Sequence, residues 1–129
     1  MAESHEIEIR VRYQETDAMG RVHHANFLTY FEMGRTEMLR STGRSYRVLE
    51  AEGLFLVVAK MQCQFHRAAR YDDLLRICTT TTSVTRVRLE HEYHVYRGDL
   101  LLAEGETTLA CVDTDGRPSR IPKWFLEPN

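Results

Sequence analysis

The sequence predicts an α+β fold, in which a five-stranded, strongly curved antiparallel sheet wraps around one long helix. Three features lead to this prediction: an N-terminal segment of alternating apolar and charged residues, one segment with helical spacing, and four long β segments joined by tight turns. A strand of about twelve residues spans about 40 Å, which is about twice the usual length. Strands of that length favour a sheet that curves around the helix.

The first strand is predicted where apolar residues occupy alternate positions between charged ones, at Ile7, Ile9, Val11 and Tyr13. The long helix is predicted from about Ala25 to Ser41, because aromatic and apolar residues recur there at helical spacing. Gly34 lies in the middle of this helix, where it costs about 1 kcal/mol relative to Ala. That cost is most easily explained if the sheet approaches the helix closely at Gly34.

A short second helix is predicted from Ser45 to Glu52, with the Ser45 side chain as its N-cap. From Leu54 onwards the chain reads as β structure. Alternation of apolar and polar residues predicts strands around residues 59–66, 75–85, 87–95 and 102–113, with a hairpin turn at residues 98–99. Two prolines, Pro118 and Pro122, exclude a regular strand in the tail.

Composition restricts the class of protein. The 129 residues are expected to form one domain over residues 1–129, and a formal net charge of −2 gives no reason to expect binding to nucleic acid or to an anionic membrane. The longest apolar run, residues 54–59, is far shorter than the roughly 18 residues of a membrane-spanning helix, so no membrane insertion is expected. Residues 1–10 alternate in charge and contain no signal-peptide core, so a cytoplasmic location is expected. Cys63, Cys78 and Cys111 are widely spaced and odd in number, which favours reduced core thiols.

No metal site and no cofactor is predicted. His91 and His94 are three residues apart in a predicted strand, so their side chains point to opposite faces and cannot share a metal ion. A five-stranded open sheet also has two unprotected edges, and pairing with a second copy is the simplest way to cover one. The chain is therefore expected to form a homodimer or a homotetramer.

The most informative segment for function is residues 16–26, in which Asp17 lies in a glycine-containing turn that leads directly into the long helix. Cleavage of a thioester needs polarisation of the carbonyl oxygen, and an oxygen nucleophile or activated water at the carbonyl carbon. Amides at a helix N-terminus can supply the first, and Asp17 can supply the second. An Asp before a glycine turn is also a common way to satisfy loop backbone.

The segment from Tyr13 to Glu32, YQETDAMGRVHHANFLTYFE, resembles the opening signature of hotdog-fold acyl-CoA thioesterases of the 4-hydroxybenzoyl-CoA thioesterase family, which includes Tol-Pal-associated acyl-CoA thioesterases. A second segment, Ala69 to Asp73, resembles that family's turn between its second and third strands, so the similarity covers nearly the whole chain. The resemblance implies a hotdog fold and hydrolysis of an acyl-CoA substrate to a carboxylic acid and free CoA. It also implies that Asp17 acts as nucleophile or general base, and that the backbone amide of His24 holds the thioester oxygen.

The same resemblance implies a set of substrate-binding residues. Leu56, Val57 and Val58 would line the thioester end of the cleft, with Tyr46 near the acyl group. Arg86 and Arg88 would meet the CoA phosphates. Two departures from the family pattern bear on these roles: residues 67–69 lack a proline that many relatives carry, and residues 23–24 are two histidines where aromatic residues are more usual. The histidines leave the identity of the acyl group open.

Several of these residues also have an ordinary structural interpretation. Asn26 is either a plain helix cap or a residue that orders the oxyanion amide. His23 and His24 can serve as a proton shuttle or simply as polar residues at a helix start. Arg86 and Arg88, two apart on a strand face, can grip a diphosphate or form part of a solvated face. On the helix, Glu32 and Glu37 could act as bases, but their spacing to Arg35 and Arg40 favours exposed ion pairs.

Two other functions compete with thioester hydrolysis. A hotdog dehydratase or hydratase pairs a His with a carboxylate and usually carries a His-Phe-Pro loop, which residues 23–26 do not supply. A non-catalytic module that binds acyl-CoA or an acyl-carrier protein would keep the fold but leave Asp17 idle. The sequence favours the thioesterase, with either CoA or a carrier protein as acyl donor.

Overall fold

The computed structural model describes residues 3–127 and has the predicted α+β architecture. The strands and α-helices of this part of the chain are β1 Ser4–Arg10, α1 His24–Ser41, α2 Tyr46–Ala51, β2 Phe55–Phe65, β3 Leu74–Val84, β4 Arg88–Arg97, β5 Leu100–Val112 and α3 Lys123–Leu126. The sheet order is β1-β3-β4-β5-β2, and every neighbouring pair is antiparallel. One long helix, α1, packs on the sheet, which is the hotdog architecture implied by the resemblance.

The core forms where the inward residues of the sheet meet α1. Alternate residues of β3 and β4 are buried, as their sequence alternation predicts, and Phe31 of α1 stacks on Tyr93 of β4 with ring centroids 4.4 Å apart. No helix in residues 3–127 is long and apolar enough to cross a membrane.

Two glycines let α1 lie directly on the sheet. A Cβ at Gly34 would collide with the Thr79 hydroxyl and would lie 3.2 Å from Ile77 Cγ2, so the close approach expected at Gly34 is confirmed. Gly105 of β5 is the counterpart on the sheet, because a Cβ there would lie 2.6 Å from the Phe31 ring. These contacts fix the depth of α1 in the sheet and therefore the position of its N-terminus.

The boundaries differ from the sequence prediction in several places, and β2, for example, begins at Phe55 rather than near residue 59. β1 ends at Arg10, and Tyr13 lies in a short 3-10 turn rather than in the strand. The turn forms because the backbone N–H of Arg12 donates to the Glu15 carboxylate at 2.9 Å, which bends the chain away from the sheet. Arg86 lies in the turn between β3 and β4, so Arg86 and Arg88 do not share a strand face as expected. The short helix α3 was not predicted.

The two edges of the sheet are β1 and β2. β2 is unusually open for a strand of apolar composition: Val57, Val58 and Phe65 are 43%, 47% and 51% exposed. An exposed, apolar edge strand is a surface that natural proteins normally cover. β2 is therefore the edge most in need of a partner.

Candidate active site

The Asp17 turn, residues 17–21, holds its carboxylate with backbone amides. Asp17 Oδ1 accepts the N–H groups of Met19 at 2.9 Å and Arg21 at 3.2 Å, and Gly20 has a φ of +76°. These hydrogen bonds, from Arg21 first and then Met19, lower the pKa of Asp17 below its usual value. The side chain is exposed in the single chain, so an ionised carboxylate faces outward at neutral pH.

The start of α1 lies close to this turn. His23 is the N-cap, and its Nδ1 accepts the N–H of Ala25 at 3.1 Å, while its ring stacks on that of His24 at 4.2 Å. Because Nδ1 is already an acceptor, the His23 side chain acts as a cap in this structure. The backbone N–H of His24 has no acceptor among residues 3–127, so it is free to bind an incoming oxygen.

Asn26 has a different position from that of a plain cap. Its side-chain amide donates to the Glu15 backbone carbonyl at 2.8 Å, and the same carbonyl accepts the His23 N–H at 2.9 Å. The interpretation of Asn26 as the N-cap is therefore wrong, because His23 occupies that place. Asn26 instead ties the chain before the Asp17 turn to the first turn of α1.

Glu15 anchors this arrangement, and sequence reasoning missed it. Glu15 is 7% exposed, and its carboxylate accepts hydrogen bonds from the Tyr30 hydroxyl at 2.8 Å and from Arg12 Nε at 2.9 Å. Burial raises the pKa of Glu15, but the hydrogen bonds and charge of its partners outweigh burial and lower it overall. The pKa of Tyr30 is raised, by burial first and then by its bond to Glu15. The i,i+3 spacing of Arg12 and Glu15 was the one available signal.

Asp17 and His24 lie in the lining of one shallow cleft of about 290 Å³. Phe27 of α1 and Phe65 of β2 form its apolar side, with ring centroids 5.4 Å apart. Arg67 from the loop after β2 also lines it. The cleft thus combines an ionised carboxylate, a helix N-terminus and an apolar wall.

The remaining predicted site residues lie elsewhere in the same chain. Tyr46 and Leu56 line a separate groove of about 270 Å³ beside α1. Val57 and Val58 are exposed on β2, and Val57 and Arg88 flank Ala110 from opposite sides. A single chain therefore brings together the catalytic candidates but not the substrate-binding ones.

The charged residues of α1 follow the prediction only in part. Glu37 and Arg40 form the expected exposed ion pair. Arg35 forms no ion pair among residues 3–127 and instead lines an interior cavity. His91 and His94 point to opposite faces, as their spacing predicts, and His91 is buried.

A second turn in the chain has the same geometry as the Asp17 turn. Asp113 Oδ1 accepts the N–H groups of Asp115 at 2.9 Å and Arg117 at 3.0 Å, and Gly116 has a φ of +78°. This turn leads into the C-terminal segment and lies outside the cleft. Hydrogen bonding within the turn is therefore not what sets Asp17 apart. The distinguishing feature is the helix N-terminus beside it.

Comparison with known proteins gives consistent results. Residues 11–128 match the thioesterase-like superfamily. The chain is 38% identical over 120 residues to the acyl-CoA thioester hydrolase YbgC of Escherichia coli, covering 92% of this chain and 90% of that protein. It is 36% identical to the acyl-CoA thioesterase YbgC of Haemophilus influenzae over 117 residues, covering 89% and 86%. A crystal structure of a probable thioesterase from Bartonella henselae superimposes with a TM-score of 0.87 at 35% identity, covering 92% of this chain and 99% of that one.

Proposed function

The chain belongs to the thioesterase-like superfamily and is an acyl-CoA thioesterase, and we propose that Asp17 is the carboxylate that acts on the thioester carbonyl carbon. The overall reaction converts an acyl-CoA and water to a carboxylic acid and free CoA. The observation that carries the proposal is that Asp17 and His24 line the same cleft, and that the backbone N–H of His24 has no acceptor among residues 3–127. The lowered pKa of Asp17 keeps the carboxylate ionised at neutral pH, as either catalytic role requires.

The His24 amide is the proposed oxyanion site. Attack on the carbonyl carbon places negative charge on the carbonyl oxygen, and a preorganised N–H at a helix N-terminus stabilises that charge. α1 has eighteen residues, so its dipole is fully developed at this end. Asn26 is a positioning residue: by holding the Glu15 carbonyl, it fixes the helix start relative to the Asp17 turn. Asn26→Ala is expected to lower kcat and leave KM nearly unchanged.

Two routes are consistent with Asp17. In the first, a carboxylate oxygen attacks the carbonyl carbon, CoA leaves as its thiolate, and water hydrolyses the resulting anhydride. In the second, the carboxylate removes a proton from water, which attacks directly. Label in the Asp17 side chain after a single turnover in ¹⁸O-labelled water establishes the anhydride route, because water that attacks the Asp17 carbonyl of the anhydride leaves its oxygen there. Mass spectrometry of the peptide that contains Asp17 gives the answer.

The test of the proposal is thiol release from a panel of acyl-CoA esters by the wild type and by two variants. Asp17→Asn is expected to reduce kcat by about 10²- to 10⁴-fold, the usual contribution of a catalytic acid or base. Asp113→Asn is the matched control, since it makes the same substitution in a turn of the same geometry. Equal activity of both variants contradicts the role of Asp17. If no ester turns over but the esters bind to wild type and variant alike, the non-catalytic binding module is the better description.

We also propose that two copies pair through β2 and that pairing completes the substrate site. β2 runs from Phe55 to Phe65, so Lys60 is its middle residue. Antiparallel pairing about Lys60 would place Leu56, Val57 and Val58 of one copy beside the Phe65 end of the other, where the Asp17 cleft lies. This arrangement would also cover the exposed apolar edge. It gives these three residues, with Tyr46 in the adjoining groove, their predicted contact with the thioester and acyl group.

The dimer, or a tetramer built from it, is tested by dilution. Specific activity is expected to fall in parallel with dissociation of the dimer, measured by sedimentation velocity. Full specific activity of a species that sediments as a monomer would contradict the shared site.

Arg86 and Arg88 are both exposed and remain the proposed contacts to the CoA phosphates. Substituting both with Met should raise KM for acyl-CoA while leaving kcat nearly unchanged, whereas an unchanged KM excludes them.

We place the enzyme in the cytoplasm. Cys63, Cys78 and Cys111 are all free within the described part of the chain, and burial is the first cause that raises the pKa of each thiol. Protonated, unpaired thiols are typical of a reducing compartment. Cell fractionation with an activity assay on each fraction tests this location.

A further inference from the structure

A second cavity lies at the opposite end of α1 from Asp17. It is open to solvent on one side and has a volume of about 440 Å³ between the C-terminal half of α1, the ends of β3 and β4, and the short helix α3. We call it the interior cavity; its lining includes Arg35, Met38, Leu39, Arg44, Leu89 and His91. It shares no lining residue with the Asp17 cleft, although Arg35 and Tyr46 also line the groove beside Leu56.

Arg35 brings a positive charge to this cavity without a balancing carboxylate. Its side chain is half-buried and is in no ion pair within the described part of the chain. Arg44, by contrast, is paired with Glu3 and donates to the Phe125 carbonyl at 2.6 Å. A partly desolvated guanidinium is costly unless an anion accompanies it. Arg35 is therefore the group with which an anionic ligand would pair.

His91 provides a second, independent observation. It is 4% exposed, and its Nδ1 has no hydrogen-bond partner among the residues that the structure describes. Burial, and then the charges of Arg35 and Arg44, lower the pKa of His91 to about 4, so the ring is neutral at pH 7. Buried polar atoms without partners are rare in native proteins. The His91 ring therefore leaves one polar atom unsatisfied in a residue that lines the cavity.

Tyr46 adds a hydroxyl to the same wall. Burial raises the pKa of Tyr46 to about 12, and the neighbouring Arg35 opposes that increase. The hydroxyl is therefore protonated at neutral pH and can donate to an anion. Most of the remaining lining is apolar, with Met38, Leu39 and Leu89 from the core and Phe125 from α3.

We propose that the interior cavity is a binding site for a small amphipathic carboxylate, whose anionic group pairs with Arg35 and whose apolar body lies against Met38, Leu39 and Leu89. The carboxylate balances the charge of Arg35. The apolar lining favours a carboxylate with a hydrocarbon body over inorganic phosphate. The volume lies within the range of about 300–1,000 Å³ that is usual for small-molecule sites.

The experiment uses octanoate as the probe and isothermal titration calorimetry as the readout, with octan-1-ol and inorganic phosphate as comparison ligands. Octanoate is expected to bind at least 10-fold more tightly than either, because only octanoate offers both the charge and the apolar body. Trp124, the single tryptophan, packs edge-to-face on Phe125 at 5.6 Å and gives a second readout by fluorescence. Equal binding of octan-1-ol, or no binding of octanoate, overturns the proposal.

Variants locate the site. Arg35→Met is expected to weaken octanoate binding by about 10- to 100-fold, the effect of losing a hydrogen bond to a charged group. Arg40→Met is the control, because Arg40 is on the same helix but exposed and outside the cavity. Val84 is 51% exposed at the cavity mouth, so Val84→Trp should block entry without disturbing the core. Octanoate binding that survives Val84→Trp overturns the proposal and assigns the ligand to the groove near Leu56.

The Asp17 cleft is excluded in the same way. Asp17→Asn should leave octanoate affinity unchanged, whereas a loss comparable to that of Arg35→Met overturns the assignment to the interior cavity. Because these readouts measure binding and not turnover, the proposal stands or fails separately from the catalytic role of Asp17.

Discussion

Removal of the Tyr30 hydroxyl tests how the Asp17 turn is held to α1. Tyr30 is completely buried, and its hydroxyl donates to Glu15 Oε1 at 2.8 Å. Tyr30→Phe keeps the packing volume and deletes only this bond. A hydrogen bond to a charged group contributes about 1.5–3 kcal/mol to stability. Since Oε1 retains the N–H of Arg12 at 2.9 Å, we expect the free energy of unfolding to fall by about 2 kcal/mol, near the low end of that range.

A double-mutant cycle with Glu15→Gln isolates the contact. Gln keeps an oxygen for Tyr30 but removes the charge, so the hydroxyl becomes worth about 1 kcal/mol in that background. The two substitutions should therefore couple by about 1 kcal/mol. Urea unfolding followed by circular dichroism provides the four stabilities, at one fixed protein concentration because self-association adds to apparent stability.

Additive effects in this cycle would refute the inference that Tyr30 and Glu15 form one unit. A free energy of unfolding for Tyr30→Phe within about 0.5 kcal/mol of the wild-type value would also refute it, because changes that small are typical of substitutions at ordinary surface positions. The kinetic consequence is separate. Because Glu15 fixes the chain before the Asp17 turn, Tyr30→Phe should also lower kcat, measured by thiol release, with a smaller change in KM.

Gly34→Ala should destabilise the protein although Ala favours helices, because the new methyl group collides with Thr79. Adding Thr79→Ala should restore part of the lost stability, which thermal melts of the single and double variants measure. Gly105→Ala should cost more, since the Cβ would lie 2.7 Å from a backbone oxygen that cannot move aside; a melting temperature equal to that of Gly34→Ala contradicts this. The pKa of Glu15 is lowered on folding, so its stabilisation is complete above its usual value of 4.5 and is lost as pH falls through the lower folded value. The stability gap between wild type and Glu15→Gln should therefore be constant near neutral pH and shrink in acid, and a gap that widens in acid contradicts the sign.

The strands and the long helix arise from local patterns, and for that reason the sequence predicts them well. Alternation of apolar and polar residues is a property of neighbouring positions, and alternate residues of β4 and of most of β3 are buried accordingly. Gly34 was informative because an unfavourable residue in a helix requires a compensating close contact. The end of β1 was predicted less well, because the chain leaves the sheet for a contact with Glu15 that alternation cannot reveal.

Sequence reasoning finds those parts of the candidate site whose residues lie close together in the sequence. Asp17 and the His24 amide belong to one continuous segment, so their motif contains both. The sequence leaves Asn26 either as a plain helix cap or as a residue that orders the oxyanion amide, because the choice depends on a hydrogen bond to Glu15, eleven residues earlier. Arg35 was expected to pair with a glutamate on its own helix. It lines the interior cavity instead, and helical spacing alone cannot indicate which side of α1 faces a void.

The two aspartate turns show why the motif alone is insufficient. Residues 17–21 and 113–117 share the pattern D-x-x-G-R. In each turn the aspartate carboxylate accepts the backbone N–H groups of the residues two and four positions after it. The two turns lead into different structures: α1 begins at His24 after the first, whereas the second continues into the irregular C-terminal segment. A carboxylate becomes chemically useful when a second group stabilises the charge that it generates, and of the two turns the first has a free helical amide beside it. The proposed catalytic role of Asp17 therefore rests on the junction between turn and helix, which Glu15 and Asn26 hold in place.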